Sequence, residues 1–368
     1  MSLTAKALSS PLSLARQEII ELKPYDHASW EPTLERLHAN ELPWRADTDA
    51  TAAGLNRYPE PQPRALLARL AALYEIAPEA VLATRGSDEA IDLLTRGFCR
   101  AGEDAVIVCP PTFGMYAVAA RIQGAEVLRV PLVAARGFAL DERAILESCS
   151  RSVKLVFVCS PNNPTGNLVP EAELLRLAEA LAGRALLVVD EAYIEFAGAP
   201  SLARHVARHP YLVVLRTLSK AHGLAGARCG SLIAAPEIVA LLRKVIHPYA
   251  LTQFTIETVL ALTEPSGLAA TRERIATIRS ERERLVEGLR TCPGVRRVWP
   301  TDANFVLAEF EDASAAFARA RAARLLVRDV RSQPGLERAL RISVGTAEQN
   351  TRLLRALRGE RPSDRLEP

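Results

Sequence analysis

Ala185-Leu186-Leu187-Val188-Val189-Asp190-Glu191-Ala192-Tyr193 opens on five apolar residues and stops on two carboxylates. A strand with one wet face alternates apolar and polar positions, whereas an unbroken apolar run is buried on both faces, as in a parallel sheet covered by helices. The same texture recurs on either side. Val81-Leu82-Ala83-Thr84, Ala105-Val106-Ile107-Val108-Cys109, Leu155-Val156-Phe157-Val158-Cys159, Tyr211-Leu212-Val213-Val214-Leu215 and Ser231-Leu232-Ile233-Ala234-Ala235 are all continuous. Between them, residues 90–99 and 171–182 carry patterns long enough for crossover helices. Residues 81–235 therefore read as an α/β unit on a mostly parallel sheet.

Working outward, the texture changes after Pro236. Long Arg/Glu-rich helical stretches (238–246 and 269–289) are followed by short strand patterns at 304–308 and 340–344, which reads as a smaller α+β unit. The first 50 residues hold Pro24, Pro32 and Pro43 among short fragments, poor material for a core, and are expected to form an arm packed on this subunit or another. The expected organisation is an arm over 1–50, a large domain over 51–240 and a small domain over 241–368. A length of 368 residues agrees with about two domains at roughly 100–200 residues each.

Composition narrows the function classes. With 49% hydrophobic and 24% charged residues the chain is neither disordered nor fibrous. Its 46 basic and 43 acidic residues leave +3, too little field to suggest nucleic acid, so a small polar or anionic metabolite suits it better. The six cysteines form no CxxC pair and have no histidine at ligand spacing, which argues against zinc and a disulfide framework and for a reducing cytoplasm. Met1 to Lys6 starts no apolar core before Arg16, and no apolar run approaches ~18 residues, so neither a signal peptide nor a membrane span is expected.

Ligands of open α/β sheets bind beyond the carboxyl ends of the strands. The residues there are Arg85-Gly86-Ser87-Asp88-Glu89, Pro110-Pro111-Thr112-Phe113, Ser160-Pro161-Asn162-Asn163-Pro164-Thr165-Gly166, Asp190-Glu191-Ala192-Tyr193 and Arg216-Thr217-Leu218-Ser219-Lys220. Gly86 to Glu89 opening a helix presents free amides and the positive dipole end to a phosphate, or is an ordinary acidic N-cap. Asp190, ending an apolar strand, needs a cation: a protonated ring nitrogen or a structural Arg.

Only five of the basic residues are lysines, so Lys220 in a short loop between buried strands calls for a reason beyond charge. A buried amine loses proton affinity and condenses with carbonyls; a surface Lys snorkels. Arg228 offers an oxyanion clamp, and Phe113 either a stacking ring or a core side chain. An amine for an aldehyde, a carboxylate for a ring nitrogen, donors for a phenolate, a ring to stack and a phosphate site together fit pyridoxal 5′-phosphate. No GxGxxG follows a strand and no GxxxxGK[ST] occurs, so dinucleotide and P-loop readings fail.

Ser160-Pro161-Asn162-Asn163-Pro164-Thr165-Gly166, Asp190-Glu191-Ala192-Tyr193, Thr217-Leu218-Ser219-Lys220 and Arg341-Ile342-Ser343-Val344-Gly345 resemble the fold-type I aminotransferases. Asn40-Glu41-Leu42-Pro43-Trp44, Leu55-Asn56-Arg57-Tyr58-Pro59, Pro110 through Tyr116 and Leu326-Val327-Arg328-Asp329 narrow the resemblance to the histidinol-phosphate aminotransferase subfamily, over residues 25–357. It implies the type I fold, with a seven-stranded large-domain sheet and a homodimer with shared sites.

The resemblance also assigns roles. It implies that Lys220 binds the cofactor aldehyde and shuttles the proton, while Asp190 keeps the pyridine nitrogen protonated. Asn163 and Tyr193 hold its phenolic oxygen, and Phe113 stacks on the ring. Ser87, Asp88, Thr217, Ser219 and Arg228 surround the phosphate, with Tyr58 added from the other subunit. Arg341, Arg328, Asn163 and, across the dimer, Tyr25 hold substrate. The implied reaction moves the amino group of L-histidinol phosphate to 2-oxoglutarate, forming glutamate, in histidine biosynthesis. An aromatic-amino-acid aminotransferase or a threonine-phosphate decarboxylase-like enzyme is the alternative.

Two features depart from that pattern. Phe113 stands where many members have Tyr, and His222 where an apolar ring is common, leaving His222 either at the site or packed in its loop. His205 and His209, at helical spacing on an expected surface helix without a carboxylate partner, are not read as a metal site.

Overall fold

The computed structural model describes residues 10–31 and 33–360. Met1 to Lys6, Pro32 and the last eight residues of the stretch assigned to the small domain lie outside the described residues.

The strands are β1 (Val81–Thr84), β2 (Ala105–Val108), β3 (Glu126–Arg129), β4 (Val153–Cys159), β5 (Leu186–Asp190), β6 (Leu212–Thr217), β7 (Gly230–Ile233), β8 (Val295–Val298), β9 (Phe305–Phe310), β10 (Arg328–Asp329) and β11 (Ala339–Ser343). The helices are α1 (Gln17–Ile20), α2 (Arg64–Tyr74), α3 (Ser87–Phe98), α4 (Met115–Gln123), α5 (Glu142–Ser148), α6 (Glu171–Leu181), α7 (Ile194–Ala197), α8 (Pro236–Arg243), α9 (Gln253–Leu262), α10 (Pro265–Arg290), α11 (Ala313–Ala322) and α12 (Ala347–Leu357).

The seven-stranded sheet has the order β1-β7-β6-β5-β4-β2-β3 and is parallel except for β7, which runs antiparallel to both neighbours. Successive residues of a strand point to opposite faces, and here both faces are covered. Val156, Val158, Leu187, Val189, Leu212 and Val214 enter one core cluster. Leu155, Phe157, Leu186, Val188, Val213 and Leu215 enter the other. That two-sided burial is the physical content of the unbroken apolar runs.

Beside β2 the chain order reverses: β3 lies to one side, and β4, β5 and β6 follow on the other. Such a reversal opens a crevice at the strands' carboxyl ends. The sequence reading missed β3, an edge strand with charged ends at Glu126 and Arg129 and only partial burial. Charge on an exposed edge discourages pairing with other chains and erases the apolar signal.

A second, four-stranded antiparallel sheet has the order β10-β11-β9-β8. Leu285 and Leu289 of α10 and Leu353, Leu354 and Leu357 of α12 pack on it. A cut after residue 240 falls inside α8, whose Leu241 and Leu242 pack with the large sheet. Part of the arm packs on this chain, with Leu14 buried in the same cluster and the Lys244 ammonium bonded to the Ile20 carbonyl. No helix among the described residues is long and apolar enough to cross a membrane.

Candidate active site

The crevice beyond β4, β5 and β6 is an open cleft with about 570 Å³ of empty volume. Ser87, Asp88, Phe113, Asn163, Asp190, Tyr193, Thr217, Ser219, Lys220 and Arg228 all line it. Residues from five separate strand exits thus converge, although up to 141 positions of chain separate them.

One end is built for an anion. Gly86, at φ +81°, ends the loop into α3 and leaves the first helical turn without a side-chain cap. Free amides at the positive end of the helix dipole face the cleft. Arg228 stands beside them, donating to Asp88 at 3.3 Å and to the Ala225 carbonyl at 3.0 Å. Its backbone is left-handed at φ +58°, a conformation that costs a non-glycine residue about 1–3 kcal/mol and clusters at ligand sites. Thr217 and Ser219 complete this end, their hydroxyls 2.9 Å apart.

The floor carries Asp190, the last residue of β5 and register partner of Cys159 on β4. The Tyr116 hydroxyl donates to one carboxylate oxygen at 2.8 Å, and the Ala192 amide to the other at 3.1 Å. Both donors are neutral, so they only partly offset burial, which pushes the carboxyl up to about 6. Lys220 acts on this carboxylate only through space, and no ion pair to it occurs among the described residues; a protonated pyridine nitrogen would supply a direct partner.

Lys220 is accessible through the cleft mouth, its ammonium 5.8 Å from the centre of the Tyr193 ring. Burial of part of the side chain and the nearby Arg341 charge lower its pKa. A larger fraction is therefore neutral amine, the nucleophilic and basic form. Burial raises the Tyr193 phenol, keeping it a donor. Phe113 meets Tyr116 edge to face, with centroids 5.6 Å apart.

Arg341, on β11, does not line the cleft but adjoins it from the small sheet through Asn163. Its guanidinium donates to the Asn163 side-chain oxygen and lies 5.2 Å over the Phe305 ring. That bond fixes the amide orientation, leaving the Asn163 NH2 group as a donor toward the cleft. The Arg341 Nε is buried without a partner among the described residues, an unsatisfied donor of the kind that substrate anions fill.

Arg328, Tyr25 and Tyr58 do not line the cleft of this single chain. Arg328 is the β10 register partner of Arg341 and is exposed. Tyr25 is 73% exposed, and Tyr58 stacks on Tyr249 at 4.5 Å. His222 is buried in its loop away from the lining, the packed outcome. The expected histidine helix is corrected: residues 202–205 form a 3-10 turn, and His205 does have a carboxylate partner, Glu171 at 2.9 Å. No group of three or more possible metal ligands occurs among the described residues.

The sequence reading assigned no role to Tyr116 or Cys159, yet one bonds Asp190 and the other lines the cleft. A signal for Tyr116 existed: it opens a helix directly after the Phe113 loop, and a buried Tyr needs a partner for its hydroxyl.

Comparison with known proteins gives a consistent picture. The family described as aminotransferase class I and II matches residues 29–357. The histidinol-phosphate aminotransferase of Stenotrophomonas maltophilia is 52% identical over 327 residues, 88% of this chain and 90% of that protein. The crystal structure of the histidinol-phosphate aminotransferase from Clostridium acetobutylicum superposes with a TM-score of 0.76 at 23% identity, covering 83% of this chain and 90% of that one. That from Sinorhizobium meliloti, in complex with pyridoxal-5′-phosphate, gives a TM-score of 0.75 at 24% identity and covers 83% of both chains. At such identities these two structures speak for the fold.

Proposed function

The chain belongs to the class I and II aminotransferases, and from that premise we propose that it transfers the amino group of L-histidinol phosphate to 2-oxoglutarate, in histidine biosynthesis, with pyridoxal 5′-phosphate as cofactor. The observation that carries this reading is the convergence of Lys220, Asp190, Asn163, Tyr193 and Arg228 on one cleft, with Arg341 bonded to Asn163 at its edge. Identity of 52% to a histidinol-phosphate aminotransferase over most of both chains supports the substrate.

The residues fit the cofactor at each end. Ser87, Thr217, Ser219, Arg228 and the bare α3 amides suit its phosphate, Phe113 its ring face, Asn163 and Tyr193 its phenolic oxygen, and Asp190 its nitrogen. When bound, the cofactor supplies an aldehyde to capture the substrate amine and a cationic ring to accept the electron pair left on the substrate carbon. Asp190 keeps a proton on the ring nitrogen. Lys220 would take the proton from the substrate carbon that bears the amine and return it to the carbon on the other side of the shared nitrogen. General acid–base transfer of this kind contributes about 10²–10⁴-fold.

Substrate exchange poses a charge problem. Histidinol phosphate has a phosphate and no carboxylate, whereas glutamate has two carboxylates. A guanidinium fork accepts either anion in the same bidentate geometry, so Arg341 and Arg328 serve both substrates.

The exposed apolar side chains Tyr25, Leu34, Leu37, Leu42 and Trp44 lie on the arm segment, and exposed Tyr58 lies just beyond it. Solvent exposure of this many large apolar groups supports a homodimer in which the arm covers the other subunit, with Tyr58 and Tyr25 completing the other subunit's cleft. The cytoplasm is the compartment that suits six buried free cysteines. Absorbance of the purified enzyme tests the whole reading. A visible band that bleaches as histidinol phosphate is added and returns with 2-oxoglutarate is the expected result; a band indifferent to both overturns it.

A further inference from the structure

Tyr116 is fully buried in α4, on the face of the large sheet opposite the one covered by α2 and α6. Its ring stacks on Phe157 at 4.9 Å and 5°, and meets Phe113 edge to face at 5.6 Å and 82°. Phenylalanine would make both contacts. The hydroxyl needs a separate explanation, because burying it costs free energy unless it is hydrogen-bonded. It is bonded, and to the one carboxylate on the cleft floor, at 2.8 Å.

We propose that Tyr116 is a positioning residue for the electron-accepting end of the cofactor: its hydroxyl holds Asp190 ionised and aimed at the ring nitrogen. The assignment rests on the cofactor reading above and deepens it. A donor to a carboxylate stabilises its charged form by a charge-assisted hydrogen bond. With the Ala192 amide on the other oxygen, each oxygen is pinned by one neutral donor and keeps a lone pair free. Held at both oxygens, the carboxylate cannot rotate away from the ring nitrogen. Through its edge contact the same ring also abuts Phe113, so one side chain braces both the stacking residue and the acid.

Tyr116→Phe removes one oxygen and keeps the packed ring. The test is NMR of the holoenzyme loaded with pyridoxal phosphate isotopically labelled at its ring nitrogen, followed against pH, beside steady-state kinetics and cofactor affinity. In Tyr116→Phe the ring nitrogen is expected to lose its proton at a pH lower by about one to two. The expected kinetic cost is roughly ten- to a hundredfold in kcat with little change in KM. Asp190→Asn serves as the reference and should abolish ring-nitrogen protonation. If Asp190→Asn leaves the nitrogen signal unmoved, the cofactor reading itself fails. If Asp190→Asn moves it and Tyr116→Phe does not, the Tyr116 assignment alone is overturned. Should Tyr116→Phe not accumulate, 3-fluorotyrosine placed at 116, a stronger donor, must raise the nitrogen's midpoint; an unchanged or lower midpoint rejects the proposal.

Discussion

Arg328 and Arg341 are register partners across the antiparallel pair β10–β11. Like charges directly opposite on one sheet are destabilising, so a fold that places them there gains little unless an anion lies between or beyond them. Arg341 is partly buried beside Asn163 and its Nε has no partner among the described residues, while Arg328 is exposed at the strand edge.

That division predicts a selective loss. Hydrogen bonds to charged groups contribute about 1.5–3 kcal/mol, so Arg328→Ala should lower kcat/KM for histidinol phosphate by roughly 10- to 150-fold. For alanine as amino donor, which has no distal anion, the change should be small. Measuring both donors separates the two, and an equal loss for each rejects a phosphate-directed role for Arg328.

Lys220→Ala should still bind cofactor, because the phosphate end and Asp190 are untouched. Turnover should fall by at least the ~10²–10⁴-fold that general acid–base transfer contributes. Borohydride reduction followed by peptide mapping reads the site directly. Label fixed at position 220 in the wild type and absent from the variant is the expected pattern; label on another lysine removes the assignment.

Gly230→Ala tests the geometry of the phosphate end. A methyl group at position 230 would lie 2.6 Å from both the Gly86 carbonyl carbon and the Ser87 amide nitrogen. These are backbone atoms, so β7 or the start of α3 must shift, a strain of about 1–3 kcal/mol. Moving the helix end away from the phosphate should weaken cofactor binding by roughly tenfold or more. Gly114→Ala, whose added carbon meets nothing within 4 Å, is the control and should leave the dissociation constant unchanged.

The legible part of the molecule was the part written in unbroken apolar runs. Strands β4, β5 and β6 are buried on both faces, so their ends could be located within a residue or two, and the polar residues at those ends are the cleft. The antiparallel course of β7 was not legible, because Ser231 to Ala235 is as continuous as its parallel neighbours. Nor was the Tyr116–Asp190 bond, which joins residues 74 positions apart and depends on how α4 lies on the sheet. The small sheet was seen only in β9 and β11; β8 alternates Val with Arg pairs and β10 has two exposed residues, too little pattern to read.

Asp190 links function to stability in a direction opposite to that of most carboxylates. In the cofactor-free chain, burial raises its carboxyl from 3.8 to about 6, so the folded state holds this proton more tightly than the unfolded state. The neutral form's contribution to stability is fully present below pH 3.8 and is lost as pH rises through about 6. The rise corresponds to about 3 kcal/mol at neutral pH. Asp190→Asn removes the charge while an amide can still accept from Ala192 and donate to the Tyr116 oxygen. The cofactor-free variant should therefore be more stable than the cofactor-free wild type above about pH 7, by up to about 3 kcal/mol, with the difference fading toward pH 4. It should also bind cofactor more weakly and lose turnover, since the charge that burdens the empty fold is the one the ring nitrogen requires. Urea unfolding of both cofactor-free proteins between pH 4 and pH 8 measures the gap, and a gap independent of pH contradicts the assignment of this carboxylate as the buried, cation-seeking group.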